Sequence, residues 1–327
     1  MIISRTPYRI SFFGGGTDHP NWYRNHESSV ISTTIDKYCY VNLRELPPFF
    51  DFKYRLRYYK REEVKTISNI KHPVIREVLT LFKYKKGIDL SYIGDIPAMS
   101  GVGSSSAFTV GIINALEALR GGHLTKRELA NYAIKIEQDI LKENVGSQDQ
   151  IASAFGGLNI INFKNNEYEV VPLILNSEKK QTIEQSITLL FTGLVRNSNN
   201  IAKNQISNIK KKYDTLNEMY SICQEGKKLF LSNKFDKKMF GKLMHQQWLL
   251  KKELNEKSTN TLINDIYNEA INSGAYGGKI IGAGGGGFLM LIGNSNFKKE
   301  VKKKFSKYLI LPIKFENFGS KIVYYTH

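Results

Sequence analysis

The stretch Pro97-Ala-Met-Ser-Gly-Val-Gly-Ser-Ser-Ser-Ala107 decides how the rest of this chain is read. Its small residues let the backbone come close to an anion. The apolar run behind it, as far as Leu119, has the texture of a helix. A helix opening near Ser105 would aim its free N–H groups and the positive end of its dipole at such an anion. Three consecutive serines add hydroxyls for phosphate oxygens or a metal ion. The stretch is not a Walker loop, because no Lys-Ser or Lys-Thr follows the glycines. By itself it reads equally as a serine-capped helix behind a flexible turn, so its surroundings have to carry the argument.

Upstream, β-branched and aromatic residues predict strands at 30–44 and 49–59, a helix over 73–82 and a strand over 88–93 that leads into the stretch. Downstream, Gly121-Gly122 stops the first helix. Thr125-Lys-Arg-Glu128 fits a capping box that opens a second helix to about residue 142. Gly146-Ser-Gln-Asp-Gln starts a short third helix, and 158–175 reads as a hairpin. From Ile187 come one strand, a long polar helical region over about 198–273, and two strands around the glycines at 282–287. A Lys-rich helix and a last strand near 322–325 complete the chain, and no repeat is visible. The expected class is α+β, with mixed, mostly antiparallel sheets and helices packed on them, in two domains covering 1–180 and 181–327.

Three further clusters bear on chemistry. Gly282-Ala-Gly-Gly-Gly-Gly287 matches G-x-G-x-x-G, but the residues after it, Phe288-Leu-Met-Leu-Ile, are strand-like rather than helical. A glycine-lined turn between strands, packed against another loop or a ligand, fits better than a dinucleotide site. Arg9-Ile-Ser-Phe-Phe-Gly-Gly-Gly-Thr-Asp18 places a cation and a carboxylate at the two ends of a strand and glycine turn. Such a turn can present Asp18 to sugar hydroxyls, since a carboxylate accepts several hydrogen bonds; it reads equally as a turn-capping aspartate. Glu137, late in the second helix, and Asp149, after the Gly146 turn, could fold together, one holding Mg²⁺ and the other meeting a hydroxyl. With 30 acidic residues in the chain, the spacing alone leaves two solvated charges as the default.

Composition sets the outer bounds. The 327 residues are 41% hydrophobic and 12% aromatic, enough for a sizeable core and unlike a disordered chain. The longest apolar runs are far too short for a bilayer, and the first residues lack the apolar core of a secretory signal. Two cysteines make no disulfide framework or metal cluster, so a cytoplasmic protein is expected. The net charge of +17 suits anionic ligands or lysine-decorated solvated faces. It also raises a rival of another class, a basic nucleic-acid-binding protein, which would bind DNA or RNA with steep salt dependence and turn over no ATP. No zinc-finger or RNA-recognition pattern supports that rival.

Taken in order, the four clusters resemble those of the GHMP kinases (galactokinase, homoserine kinase, mevalonate kinase, phosphomevalonate kinase), and the resemblance covers essentially the whole chain. Within the family, Gly14-Gly-Gly-Thr-Asp-His-Pro and Phe191-Thr-Gly-Leu-Val-Arg196 look most like the bacterial D-glycero-D-manno-heptose 7-phosphate kinases. That resemblance implies ATP-dependent phosphorylation of the anomeric hydroxyl to give the 1,7-bisphosphate, on the route to GDP-heptose and surface or capsule polysaccharides. Fucose, arabinose or another sugar is the alternative acceptor. Galactokinases carry Gly-Glu-His before their Thr-Asp where this chain has Gly14-Gly15-Gly16, which argues against galactose.

The resemblance also implies roles. The family's Pro-Gly-Arg appears as Pro7-Tyr8-Arg9, with Arg9 assisting the nucleophilic hydroxyl and Asp149 as base. Gly101, Val102, Gly103, Ser104, Ser105, Ser106 and Ala107 would wrap the ATP phosphates. Ser105 and Glu137 would hold Mg²⁺, with one residue of ambiguity within the serine run. Gly15, Gly16, Thr17 and Asp18 would grip the sugar, and Arg196 would clamp its 7-phosphate, with Arg55, Arg57 and Arg61 as weaker candidates. Gly282, Gly284, Gly285 and Gly286 would support the phosphate loop. Sugar phosphate and ATP are the expected partners, with no nucleic acid and no membrane; oligomeric state is left open.

Overall fold

The computed structural model describes residues 1–194 and 212–326. Its strands, in chain order, are β1 (Ile2–Phe13), β2 (Ser28–Glu45), β3 (Tyr54–Arg57), β4 (Arg61–Val64), β5 (Ile88–Gly94), β6 (Leu158–Lys164), β7 (Glu167–Pro172), β8 (Ile187–Phe191), β9 (Gly277–Ile280), β10 (Phe288–Ile292), β11 (Ile310–Leu311), β12 (Phe315–Glu316) and β13 (Lys321–Tyr325). They form two sheets. The larger runs β13-β1-β2-β5-β3-β4, with β6, β7 and β12 attached through β2; the smaller runs β11-β8-β10-β9. Every pairing is antiparallel except β3 with β5.

The length of β2 organises the larger sheet. Its first half pairs with β6 and its second half with β5, so two sheet arms diverge from one strand. Along the second half, Cys39, Val41 and Leu43 are buried while Tyr40, Asn42 and Arg44 face outward, the period-2 alternation of a sheet with one covered face. β1 is buried on both faces over its second half. There Phe12 meets the rings of Phe230, Phe240 and Phe315 at centroid distances of 5.5, 5.5 and 6.0 Å. Those rings come from the helix Tyr213–Leu231, the helix Lys237–Leu254 and β12, so one apolar core ties early and late parts of the chain together.

Several boundaries shift from the sequence reading for identifiable reasons. The strand expected over 49–59 shrinks to Tyr54–Arg57, because Pro47-Pro48 and the following turn take the chain out of the sheet. The region expected to be helical over 198–273 contains the separate helices Tyr213–Leu231, Lys237–Leu254 and Thr261–Asn272; its first part lies outside the described residues. The second helix, Lys126–Ile134, starts with the expected capping box and then widens into a π-helical turn over Lys135–Ile140. Beyond residue 180 the chain builds the smaller sheet and then returns: Tyr325 pairs with Ile2 and Phe315 with Ile35 in the larger one. A cut at 180 therefore does not separate the sheets, since β1 would lose its outer neighbour.

Candidate active site

The helix Ser104–Leu119 begins where Gly103 takes a left-handed conformation, φ +73°. A Cβ at Gly103 would sit 3.2 Å from both Arg9 Cγ and Asp149 Oδ2, so a glycine is needed there twice over. Arg9, on β1, is 3% exposed and donates from Nε and Nη2 to the two oxygens of Asp149, each at 2.7 Å. Its third nitrogen, Nη1, donates to Gly101 O at 2.7 Å, and its backbone N–H to Val102 O at 3.0 Å. One guanidinium thus fixes the carboxylate to the glycine loop through a two-pronged ion pair. Tyr8, which replaces the family's glycine, points away from this cluster toward Tyr92, its hydroxyl 3.2 Å from the other.

Asp18 is 2% exposed and held by backbone N–H groups: Gly16 donates to Oδ1 at 2.8 Å and Gln148 to Oδ2 at 3.4 Å. Gly146 makes room for it, since a Cβ there would lie 1.8 Å from Asp18 Oδ2. Gly15, Gly16, Asp18, Gly101, Gly103, Ser104, Ser105, Ser106, Arg9 and Asp149 line one cavity. Thr17, expected among them, does not; it is fully buried and its hydroxyl donates to Gly14 O at 2.8 Å, closing the turn. Val102 and Ala107 contribute backbone to the loop while their side chains lie in the core.

Glu137 projects from the π-helical turn into the base of the serine helix. Ser106 Oγ donates to its Oε2 at 2.8 Å, whereas Ser105, the serine expected beside Mg²⁺, is exposed and lines the cavity. Burial pushes the Glu137 carboxyl up to about 7, while the neighbouring Thr109, Ser106 and Gln150 oppose the shift. The other oxygen, Oε1, is buried with no hydrogen-bond partner among the described residues; Thr109 Oγ1, close to the carboxylate, donates to Ser105 O at 3.2 Å. A buried carboxylate oxygen left open beside a serine hydroxyl suits Mg²⁺, which takes few protein ligands alongside substrate phosphates. Among the described residues, no group of three or more His, Cys, Asp or Glu could hold a metal.

The glycine run is a turn from β9 to β10 that lies directly on the serine loop. A Cβ at Gly282, φ +68°, would be 2.6 Å from Gly101 Cα, and one at Gly101, φ +87°, would be 2.7 Å from Ile281 O. Phe288 N–H donates to Ser100 O at 3.2 Å. Gly284 and Gly285 meet Ser258, and Gly286 meets Leu194. Arg196 lies outside the described residues. Arg55 and Arg57 do not face the cavity: together with Arg44 they converge on Asp89 in the larger sheet, and Arg61 pairs with Glu63.

The structure adds residues the sequence reading missed. Lys251, Gln247 and Lys279 are buried and line the same cavity. Lys251 Nζ donates to Ile280 O at 3.1 Å and to Gly282 O, and Lys279 Nζ donates to Phe12 O at 2.6 Å. Burial, and then nearby Arg9, push Lys251 down to about 7; burial, then Lys251 and Arg9, hold Lys279 well below its ordinary value. Lys279 opens the third motif and Gln247 precedes Lys251 by one helical turn, but in a chain with 47 Lys and Arg neither position stands out.

The family model for the GHMP kinases N terminal domain matches residues 69–157, and that for the GHMP kinases C terminal domain matches 228–311. The chain is 29% identical over 317 residues to the D-glycero-alpha-D-manno-heptose 7-phosphate kinase of Campylobacter jejuni, covering 94% of this chain and 93% of that one. It is 30% identical over 243 residues to the mevalonate kinase of Pyrococcus furiosus, covering 69% and 67%. Among solved structures, a D-glycero-D-manno-heptose 1-phosphate kinase from Bacteriodes thetaiotaomicron superposes with a TM-score of 0.81 at 22% identity, over 100% of both chains. This chain belongs to the GHMP kinase family. It is a phosphotransferase of α+β fold whose phosphate donor is ATP.

Proposed function

We propose that the protein transfers the γ-phosphoryl group of ATP to the anomeric hydroxyl of D-glycero-D-manno-heptose 7-phosphate. The product would be the 1,7-bisphosphate, made in the cytoplasm for GDP-heptose and surface polysaccharide. The observation that carries the reading is the Arg9–Asp149 pair, held at 2.7 Å and tied to the glycine loop carbonyl, in one cavity with buried Asp18. The likeness to the Campylobacter jejuni enzyme along nearly the whole chain supports the choice of acceptor.

Phosphoryl transfer through a loose transition state asks mainly for positioning and charge neutralisation. The serine helix and the backbone of 101–106 would cradle the ATP phosphates. Asp18 accepts hydrogen bonds from sugar hydroxyls and sets the ring's orientation. Asp149 accepts the proton of the attacking hydroxyl, while Arg9 keeps that carboxylate in place beside the developing charge. Ser106 and Glu137 would hold Mg²⁺, which would supply charge neutralisation for the ATP phosphates. An ADP-release screen with Mg-ATP over free and phosphorylated sugars tests the acceptor. Heptose 7-phosphate should give the highest kcat/KM. Fucose or arabinose turning over faster would move the assignment to that sugar.

A further inference from the structure

Three buried basic side chains meet at one end of the cavity, and among the described residues only Arg9 has a carboxylate within ion-pair distance. Arg9 is neutralised by Asp149. Lys251 and Lys279 are 7% and 5% exposed and donate to backbone carbonyls alone. Asp18 favours the charged form of both lysines from beyond ion-pair distance, while its oxygens accept from the N–H groups of Gly16 and Gln148. Gln247, on the same face of the helix as Lys251, is 1% exposed with both amide atoms unpartnered. Ser11 Oγ and Gln148 Oε1, in the same cavity, are also buried without partners. Buried ammonium groups among unfilled polar groups are costly to charge unless a ligand brings an anion. The place of that anion is set by contact: Lys251 holds the carbonyl of Gly282, Gly282 packs on Gly101, and Arg9 holds the carbonyl of Gly101.

We propose that Lys251 is a further catalytic cation of this kinase, its ammonium contacting the phosphoryl group as it passes from ATP to the acceptor, with Gln247 hydrogen-bonding beside it. The proposal rests on the kinase reading above. In the transfer, the acceptor oxygen forms a bond to Pγ as the bond from Pγ to the β,γ-bridging oxygen breaks. The electron pair leaves with ADP and the acceptor proton goes to Asp149. Lys251 lends charge and keeps its protons. Facing it are Arg9 from β1, Lys279 from β9 and Asp18 from the glycine turn, with Asp149 behind Arg9 and Cys223 behind Lys279. Burial, and then Arg9, hold Lys251 near half-protonation at about pH 7 against the pull of Asp18, so a phosphate arriving at higher pH draws a proton onto it from solvent.

Calorimetry tests this on the whole chain, with the non-hydrolysable analogue Mg-AMPPNP and with Mg-ADP, at pH 8 in HEPES and in Tris. Wild type should take up more proton with the triphosphate than with ADP, and its triphosphate preference should fall as pH rises above 7. Lys251→Met should lose the extra uptake and about tenfold in AMPPNP affinity, with ADP affinity nearly unchanged; Lys251→Arg should restore the preference. An equal loss for both nucleotides, or unchanged uptake in Lys251→Met, would overturn the proposal. If Lys251→Met does not fold, a wild-type preference that is flat with pH overturns it. A wild type that binds neither nucleotide would sink the kinase reading, and this proposal with it.

Discussion

At the scale of single residues, the account turns on which side chains share the cavity and which only lie near it in sequence. Asp149→Ala in a folded protein should lower kcat by about 10²-fold or more, the usual contribution of a general base. Near-wild-type turnover would remove it from that role. Ser106→Ala should raise the Mg²⁺ concentration needed for half-maximal activity, and Ser105→Ala should leave it close to wild type, because Ser106 is the serine bonded to Glu137. The reverse order would restore the register read from sequence. Lys251 also predicts a pH dependence of stability. Its folded pKa of about 7 lies below the ordinary 10.5, so between those values the unfolded chain binds more protons than the folded one. Stability of the ligand-free protein should therefore gain up to about 1.4 kcal/mol per pH unit as pH rises through that window. Denaturant titrations of wild type and Lys251→Met at pH 7 and 9 measure it, and a gain of equal size in both proteins would contradict the assignment.

At the scale of elements, glycines set the site by what they leave out. Gly146→Ala should displace Asp18, weakening acceptor binding strongly while nucleotide affinity holds; parallel losses for both ligands would mean general unfolding of the site instead. Much of this level was legible in the sequence. The capping box at Thr125 and Glu128 and the turn nature of 282–287 follow from local rules, because caps and tight turns are decided by a few neighbouring residues. The π-helical turn under Glu137 was not legible, nor was Ser106 as its partner. Three like serines differ only in helical phase, and that phase is fixed by where Gly103 lets the helix begin.

At the scale of the molecule, the chain closes on itself. Residues far apart in sequence bring Arg9, Asp149, Lys251 and Lys279 to one cavity, and the last strand returns to pair with the first. That closure is why the buried lysines escaped the sequence reading: Lys279 meets the Phe12 carbonyl of β1 and Lys251 the Ile280 carbonyl of β9, contacts with no local trace. It also explains why order along the chain was informative, since each cluster alone has an ordinary structural reading. The proposed reaction is transfer to the anomeric oxygen of a phosphorylated heptose. Phosphorus NMR of the reaction of Mg-ATP with D-glycero-D-manno-heptose 7-phosphate tests it most directly. One ADP per sugar and a new anomeric phosphate beside an unchanged 7-phosphate are expected; no ADP release, or a new phosphate at any other carbon, would rule this reaction out.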